Sequence, residues 1–212
     1  MTRILRIESS SRNVAEGSHS RRVADHVISH LQVQHPDAQV IDRDLIATPL
    51  PHISNDTING FYTPEDRMTD TLRDATALSD ALIEELASAD AVVLSVPIYN
   101  FSVPSALKAW IDHITRMGRT FSHENGSFRP ILADRPVYVV YAYGAGGYGA
   151  GGALESYDFM RPYLSMLLNF IGLTSVTDFV IEATTADPET VAAEHAGTHA
   201  AIDAHFGGQA HG

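Results

Sequence analysis

Residues 91–112, AVVLSVPIYNFSVPSALKAWID, constrain the fold more than any other stretch of the chain. The run from Ala91 to Val96 is apolar apart from Ser95, the pattern of a strand covered on both faces. Pro97 breaks it. After Pro104, Leu107, Trp110, Ile111, Ile114 and Met117 recur at steps of three and four, which predicts an amphipathic helix. Between the prolines lies a short loop carrying Tyr99, Asn100 and Phe101. In an open α/β sheet, the loop after a strand's carboxyl end is where ligands bind. Two aromatic faces with exposed amides beside them suit a planar aromatic ligand. Core packing is the competing reading for Tyr99 and Phe101, and their place between two prolines, rather than at helical spacing, weakens it.

The remaining segments repeat this strand-then-helix rhythm. Ile4–Ile7 reads as a first strand, and Val23, Val27 and Leu31 share one face of a first helix. Residues 38–45 read as a second strand, closed by Pro49 and Pro51, and residues 49–64 as a long loop that is mobile or functional. A helix is expected over 65–87, with Leu72, Ala75, Leu82 and Leu86 toward the core. Asn125-Gly126 marks a short hairpin between residues 120–122 and 126–128. Further strands are expected at 137–141 and 175–181, and helices at 155–171 and 188–206. Five strands alternating with helices predict one doubly wound parallel sheet, α/β, over residues 1–206, with a frayed tail at 207–212.

Charge and composition narrow the function. Fourteen Lys and Arg against 26 Asp and Glu give a net charge of −12, which disfavours binding to nucleic acid. The same balance means that an anionic ligand must be held by local dipoles. No cysteine is present, so disulfides and thiol chemistry are excluded and a cytoplasmic location is the default. No stretch approaches the roughly 20 apolar residues of a membrane span, so membrane insertion is not expected.

Three loops converge at the carboxyl edge of such a sheet, after the first, third and fourth strands. The first contains Ser9-Ser10-Ser11 and leads to Ser18-His19-Ser20 at a helix start. Hydroxyls and free amides at a helix N-terminus make an anion site, although a serine there also reads as a simple cap. The second loop is Pro97–Pro104. The third is Tyr143-Gly144-Ala145-Gly146-Gly147-Tyr148-Gly149.

On these blocks the chain resembles the FMN-dependent NADH azoreductases, or NADH:quinone oxidoreductases, of flavodoxin-like fold. The segment Pro97-Ile98-Tyr99-Asn100-Phe101 with its following Leu107-Lys108 and Asp112 carries most of the likeness. It is joined by Gly118-Arg119-Thr120-Phe121, Glu124-Asn125-Gly126, Pro162-Tyr163-Leu164 and Asn169–Thr174, and the likeness runs from about residue 3 to 183. The resemblance implies that Ser10, Ser18, His19 and Ser20 hold the phosphate of flavin mononucleotide (FMN). It implies that Pro97, Ile98, Tyr99, Asn100 and Phe101 line the isoalloxazine, as do Gly144, Ala145, Gly146 and Gly147. Where the family shows Ser-Arg-Gly-Gly, this chain has Gly144-Ala145-Gly146-Gly147, so the arginine is missing. Tyr148, Phe121 and Phe61 are assigned to the substrate pocket, with an exposed loop tyrosine the competing reading for Tyr148.

The resemblance further implies an enzyme that passes two electrons from NADH or NADPH through FMN to quinones or azo compounds by a ping-pong mechanism. The chemistry is the flavin's, and no catalytic side chain is expected. A homodimer with sites at the subunit interface is implied as well. A non-enzymatic flavodoxin-like electron carrier and a flavin-free regulatory relative are the alternatives. Gly144-x-Gly146-x-x-Gly149 imitates a dinucleotide fingerprint, but the acidic residue expected about 20 positions on is missing. No Gly-x-Ser-x-Gly elbow suggests a serine hydrolase. His195 and His199, four apart on a helix, lack an obvious third ligand, so no metal site is expected.

Overall fold

The apolar strands assemble as their patterning requires. The computed structural model describes residues 1–209 and contains a five-stranded parallel sheet built from β1 (Arg3–Glu8), β2 (Gln39–Asp44), β3 (Ala91–Pro97), β6 (Val137–Ala142) and β7 (Val176–Ile181). Their spatial order is β2-β1-β3-β6-β7, and all pairs are parallel. With the small β4 (Phe121–Glu124) and β5 (Ser127–Pro130) hairpin set aside, this is the 2-1-3-4-5 order of the flavodoxin-like fold. The strand order reverses between β1 and β3, which opens a crevice at their carboxyl ends.

Alternation along the strands divides the core in two. Val92, Leu94 and Val96 of β3 pack with Leu82, Leu86, Trp110 and Leu164 from α3 (Asp70–Ala87), α4 (Ser105–Ile114) and α5 (Met160–Ile171). Val93 points the other way, among Val23, Val27 and Ile202 of α1 (His19–Gln34) and α6 (Pro188–Gln209). Both faces of the central strands are dry, as their continuous apolar runs demand.

The structure differs from five of these expectations. Residues 49–64 are not all loop: α2 (Asn55–Tyr62) forms behind a reciprocal cap in which Thr57 N–H donates to Ser54 Oγ and Ser54 N–H donates to Thr57 Oγ1, both at 3.2 Å. Gly60 lets α2 lie against α3, since a Cβ there would sit 2.5 Å from Thr76 Cγ2 and 3.2 Å from the Leu72 carbonyl oxygen. The helix expected from 65 is a 3₁₀ turn at Glu65–Arg67 and then α3, capped by Thr69. Similarly, the helix expected from 155 is a 3₁₀ turn at Glu155–Tyr157 followed by α5. Met117 lies beyond the end of α4, where the Thr120 hydroxyl donates to the Ile114 carbonyl at 2.7 Å, and its side chain is exposed. The expectation of a frayed tail over 207–212 meets a helix that continues to Gln209, anchored by buried Ile202 and Phe206; residues 210–212 lie outside the described residues.

Candidate functional site

The loop after β1 is built around buried hydroxyls. Ser9, Ser10, Ser18 and Ser20 are all buried. Ser9 Oγ donates to the Ser95 carbonyl at 2.7 Å, and Ser95 Oγ donates to Ser20 Oγ at 3.0 Å, so the loop is fastened to β3. Ser18 is the N-cap of α1, accepting from Arg21 N–H at a long 3.4 Å. Ser18 Oγ also lies 3.5 Å from Ser20 Oγ, and a hydroxyl can accept one bond while it donates another, so the cap does not use up its hydrogen-bonding capacity.

Arg21, on the first turn of α1, fixes the loop's position. Its Nη2 donates to the Ser10 carbonyl at 2.8 Å and to Asp44 Oδ1 at 3.1 Å, while Glu8 Oε2 lies 3.6 Å from its Nε. The Arg21 hydrogen bond, helped by the Ile46 and Ala47 amides against the cost of burial, holds the Asp44 carboxyl down to about 2. Burial instead raises Glu8, against the pull of Arg6, Ser95 and Arg21. His19 lies across the same helix start, with Nδ1 2.9 Å from His195 Nε2. Burial, with Arg22 and Arg12 nearby, lowers its pKa below the usual histidine value.

The loop after β3 stores backbone strain. Asn100 and Phe101 have φ of 48° and 73°, and Tyr99 and Ser102 exchange backbone hydrogen bonds at 3.0 and 3.2 Å across them. Two consecutive positive φ values in a two-residue hairpin loop are the mark of a type I′ turn, whose second position normally takes glycine. Phenylalanine there costs about 1–2 kcal/mol. Such strain, held by its surroundings, clusters at functional sites. Tyr99 links this loop to the first: its hydroxyl meets Ser11 N–H at 3.1 Å and Ser11 Oγ at 2.8 Å. Burial would raise the Tyr99 phenol, but the hydrogen bonds from Ser11 and Ser10 and the Arg12 charge outweigh it and leave the pKa lowered. Phe101 is half exposed, its ring centroid 5.7 Å from that of Tyr157, and its carbonyl accepts from Phe159 N–H at 3.1 Å.

The third loop turns back on itself. Leu154 N–H donates to the Gly147 carbonyl at 2.8 Å, and a Cβ on Gly152 would lie 2.3 Å from that oxygen, so only glycine fits. Gly147 N–H is already committed to Glu182 Oε2 at 2.7 Å. Thr185 donates to the Gly144 carbonyl through both N–H and hydroxyl, at 3.1 and 2.8 Å.

These loops enclose a 310 Å³ cavity at the carboxyl edge of the sheet, lined by Ser10, Ser18, His19, Ser20, Pro97, Ile98, Tyr99 and Gly144 among the expected residues. Ser11 of the same serine loop lines it too, as do Arg12, Thr184 and Thr185, to which the sequence reading gave no role. On the other side of Tyr99, Asn100 borders a 550 Å³ cavity with His52, Lys108, Asp112 and Tyr163. Phe101, Ala145, Gly146 and Gly147 stand on the adjoining loops without lining either space. The three residues assigned to the substrate pocket line neither of these spaces. Tyr148 is buried and stacked on Tyr143 at 4.6 Å, whose hydroxyl donates to Asp158. Phe121 packs on Phe170 and Phe128 at 4.7 and 5.9 Å, and Phe61 lies under Arg116. Each of the three thus has a ring or a cation against it, and Tyr148 also borders a separate 320 Å³ cavity with Asp158 and Arg161.

Comparisons with known proteins agree with the fold. Residues 2–206 match a protein family described as having a flavodoxin-like fold. The chain is 47% identical over 176 residues, 83% of its length and 84% of the relative's, to an FMN-dependent NADH:quinone oxidoreductase of Xanthobacter autotrophicus. Its fold is similar to an azoreductase from Bacillus anthracis with a TM-score of 0.87 at 22% identity, covering 97% of this chain and 99% of that one. An FMN-dependent NADH-azoreductase from Bacillus anthracis, solved in complex with FMN, aligns with a TM-score of 0.81 at 20% identity, covering 96% and 98%.

Proposed function

The chain belongs to the family of flavodoxin-like fold that includes the FMN-dependent NADH:quinone oxidoreductases, and on that premise we propose that it is an oxidoreductase holding FMN across its three loops. The observation that carries the reading is the 310 Å³ cavity, placed where the strand order reverses and bordered by the N-terminus of α1. Buried serine hydroxyls and a helix N-terminus form a cradle for a phosphate dianion in a protein of net charge −12. The residues present therefore fit the group.

Ser10, Ser18 and Ser20, with the α1 amides from His19 onward, are the proposed phosphate ligands. Ile98, Tyr99, Asn100 and Phe101 are proposed to flank the flavin ring, mainly through main-chain groups presented by the left-handed turn. Gly144, Ala145 and Gly146 approach from the third loop. Gly147 supports that loop through Glu182 instead of donating to the ligand. When bound, FMN supplies the two-electron relay from NADH to a quinone or an azo compound. Tyr99 stands between the two cavities, and donor and acceptor are proposed to reach the flavin in turn, with ping-pong kinetics. The half-exposed Phe101 and Tyr157 beside exposed Phe159 support a homodimer closed over the site edge.

The test is direct. Purified protein should carry the visible absorption of flavin, lose it on anaerobic addition of NADH, and regain it with a quinone. Initial rates varied in both substrates should give parallel reciprocal plots. Protein that binds FMN but is not bleached by NADH would instead be an electron carrier, and the proposal would fail.

A further inference from the structure

Five of the eleven histidines meet along one seam between α1 and α6, which starts at His19 beside the cavity and runs along the two helices. His19 contacts His195, His195 lies edge-on to His199 at 5.8 Å, and His199 stacks on His26 at 4.3 Å and 19°. His30 follows His26 by one helical turn, with ring centroids 5.0 Å apart. At that end of the seam, His26 Nε2 and His30 Nε2 both lie 2.7 Å from the same oxygen, Oδ1 of Asp203 on the opposite helix. The pair discounted from sequence was His195 and His199; the fold assembles a different one with a carboxylate.

We propose that His26, His30 and Asp203 form a binding site for a divalent late transition-metal cation of the zinc type, bridging α1 to α6. Imidazole nitrogens four residues apart lie on one helical face. Two such nitrogens plus a carboxylate make a common three-ligand set for zinc, with water completing the shell. The three ligand atoms already lie within 4.8 Å of one another. Metal–ligand bonds of about 2.0–2.2 Å place tetrahedral ligands about 3.3 Å apart, so the 2.7 Å contacts need open by less than about 1 Å.

The rings are also oriented in advance. His199 stacks on His26, and Phe206 lies parallel to His30 at 5.0 Å and 4°. Both supports come from α6, the helix that supplies Asp203, and such outer contacts fix ligand geometry. The side chains keep 27%, 27% and 56% of their exposure, which leaves an entry path for the ion and room for water. Nitrogen ligands select against magnesium and calcium. Arg22, on α1, is the nearby positive charge that opposes the site. A hydrogen-bonded cluster without an ion is the rival account, with Asp203 simply accepting two N–H bonds.

Tag-free holoprotein, stripped with EDTA and titrated calorimetrically with zinc chloride, separates the two. One equivalent should bind, magnesium should not compete, and cobalt substitution should give the visible bands of a tetrahedral site. Asp203→Asn and the double variant His26→Gln/His30→Gln should each weaken zinc at least about tenfold, with unchanged circular dichroism and flavin content. His195→Gln should bind zinc like the parent. No saturable binding, or binding as tight as the parent's in both the Asp203→Asn and the double-histidine variants, would overturn the site. So would loss in His195→Gln with binding retained in Asp203→Asn.

Discussion

Replacing Asp44 by Asn tests how the first loop is held. The substitution keeps an oxygen for the Ile46 and Ala47 amides, which donate to Oδ1 at 2.9 and 3.1 Å, and removes mainly the charge facing Arg21. Arg21 is buried, and its remaining carboxylate, Glu8, lies 3.6 Å away. A carboxyl held at about 2 in the folded protein, against its ordinary 3.8, stabilises the fold by about 2 kcal/mol at neutral pH. The 30% exposure of the Asp44 side chain keeps the figure at the lower side of that conversion. The sign follows from a depressed folded-state pKa: the contribution is complete above 3.8 and vanishes as pH falls through about 2. At pH 7 the variant should therefore melt roughly 4–8 °C lower. The difference in urea midpoint should shrink as the titration is moved from pH 7 toward pH 3. Trp110, the chain's single tryptophan and 1% exposed, reports unfolding by fluorescence. An unchanged midpoint at pH 7, or a gap undiminished at pH 3, would refute the assignment of Asp44 as the charge partner of Arg21.

Other substitutions separate binding from stability. The double variant Ser18→Ala/Ser20→Ala should weaken FMN by about tenfold or more in a fluorescence titration, since hydrogen bonds to a charged group are worth about 1.5–3 kcal/mol each; unchanged affinity would reduce both serines to cap and core roles. Asn100→Leu puts a branched side chain at φ 48° and should lower flavin retention or turnover; full occupancy with parental rates would remove Asn100 from the site. Phe101→Gly relieves about 1–2 kcal/mol of left-handed strain while losing a half-buried ring. Its melting temperature should stay within a few degrees of the parent while FMN dissociates faster; a large loss of stability would mean that the ring mainly holds the fold.

The sheet was legible because its strands are covered on both faces and separated by helices of clear period. Ala91–Pro97 has little alternative to a central strand, and Leu107, Trp110, Ile111 and Ile114 mark their helix in the same stretch. The errors fall where local chemistry is weak and tertiary contact decides. α2 contains Asn55, Asn59 and Gly60 and so reads as loop, yet Ser54 and Thr57 cap it and the missing Cβ of Gly60 lets it dock on α3. A residue that weakens the isolated helix is the one that permits its packing.

The site divides along the same line. Serines around a helix start point to an anion through their own side chains, so Ser10, Ser18 and Ser20 could be grouped from sequence, and the fold brings all three to one cavity. Aromatic residues announce only that a flat apolar face exists. Whether that face meets a ligand or a neighbour depends on how the chain folds around it: Tyr143 of the same loop packs on Tyr148, while Phe170 on Phe121 and Arg116 on Phe61 come from far along the sequence. Tyr99 escapes that fate because its hydroxyl is drawn 88 residues across the crevice to Ser11, which leaves its side chain standing between two open spaces. The least legible feature is the turn beside it, since no pattern rule places phenylalanine at φ 73°. Tyr99 and Ser102 close that turn by pairing, and Phe159 N–H binds the Phe101 carbonyl, so the strain is imposed by surroundings rather than preferred by residue type. A site made largely of main-chain groups requires such enforcement, because side-chain identity has only indirect control over where a peptide N–H points.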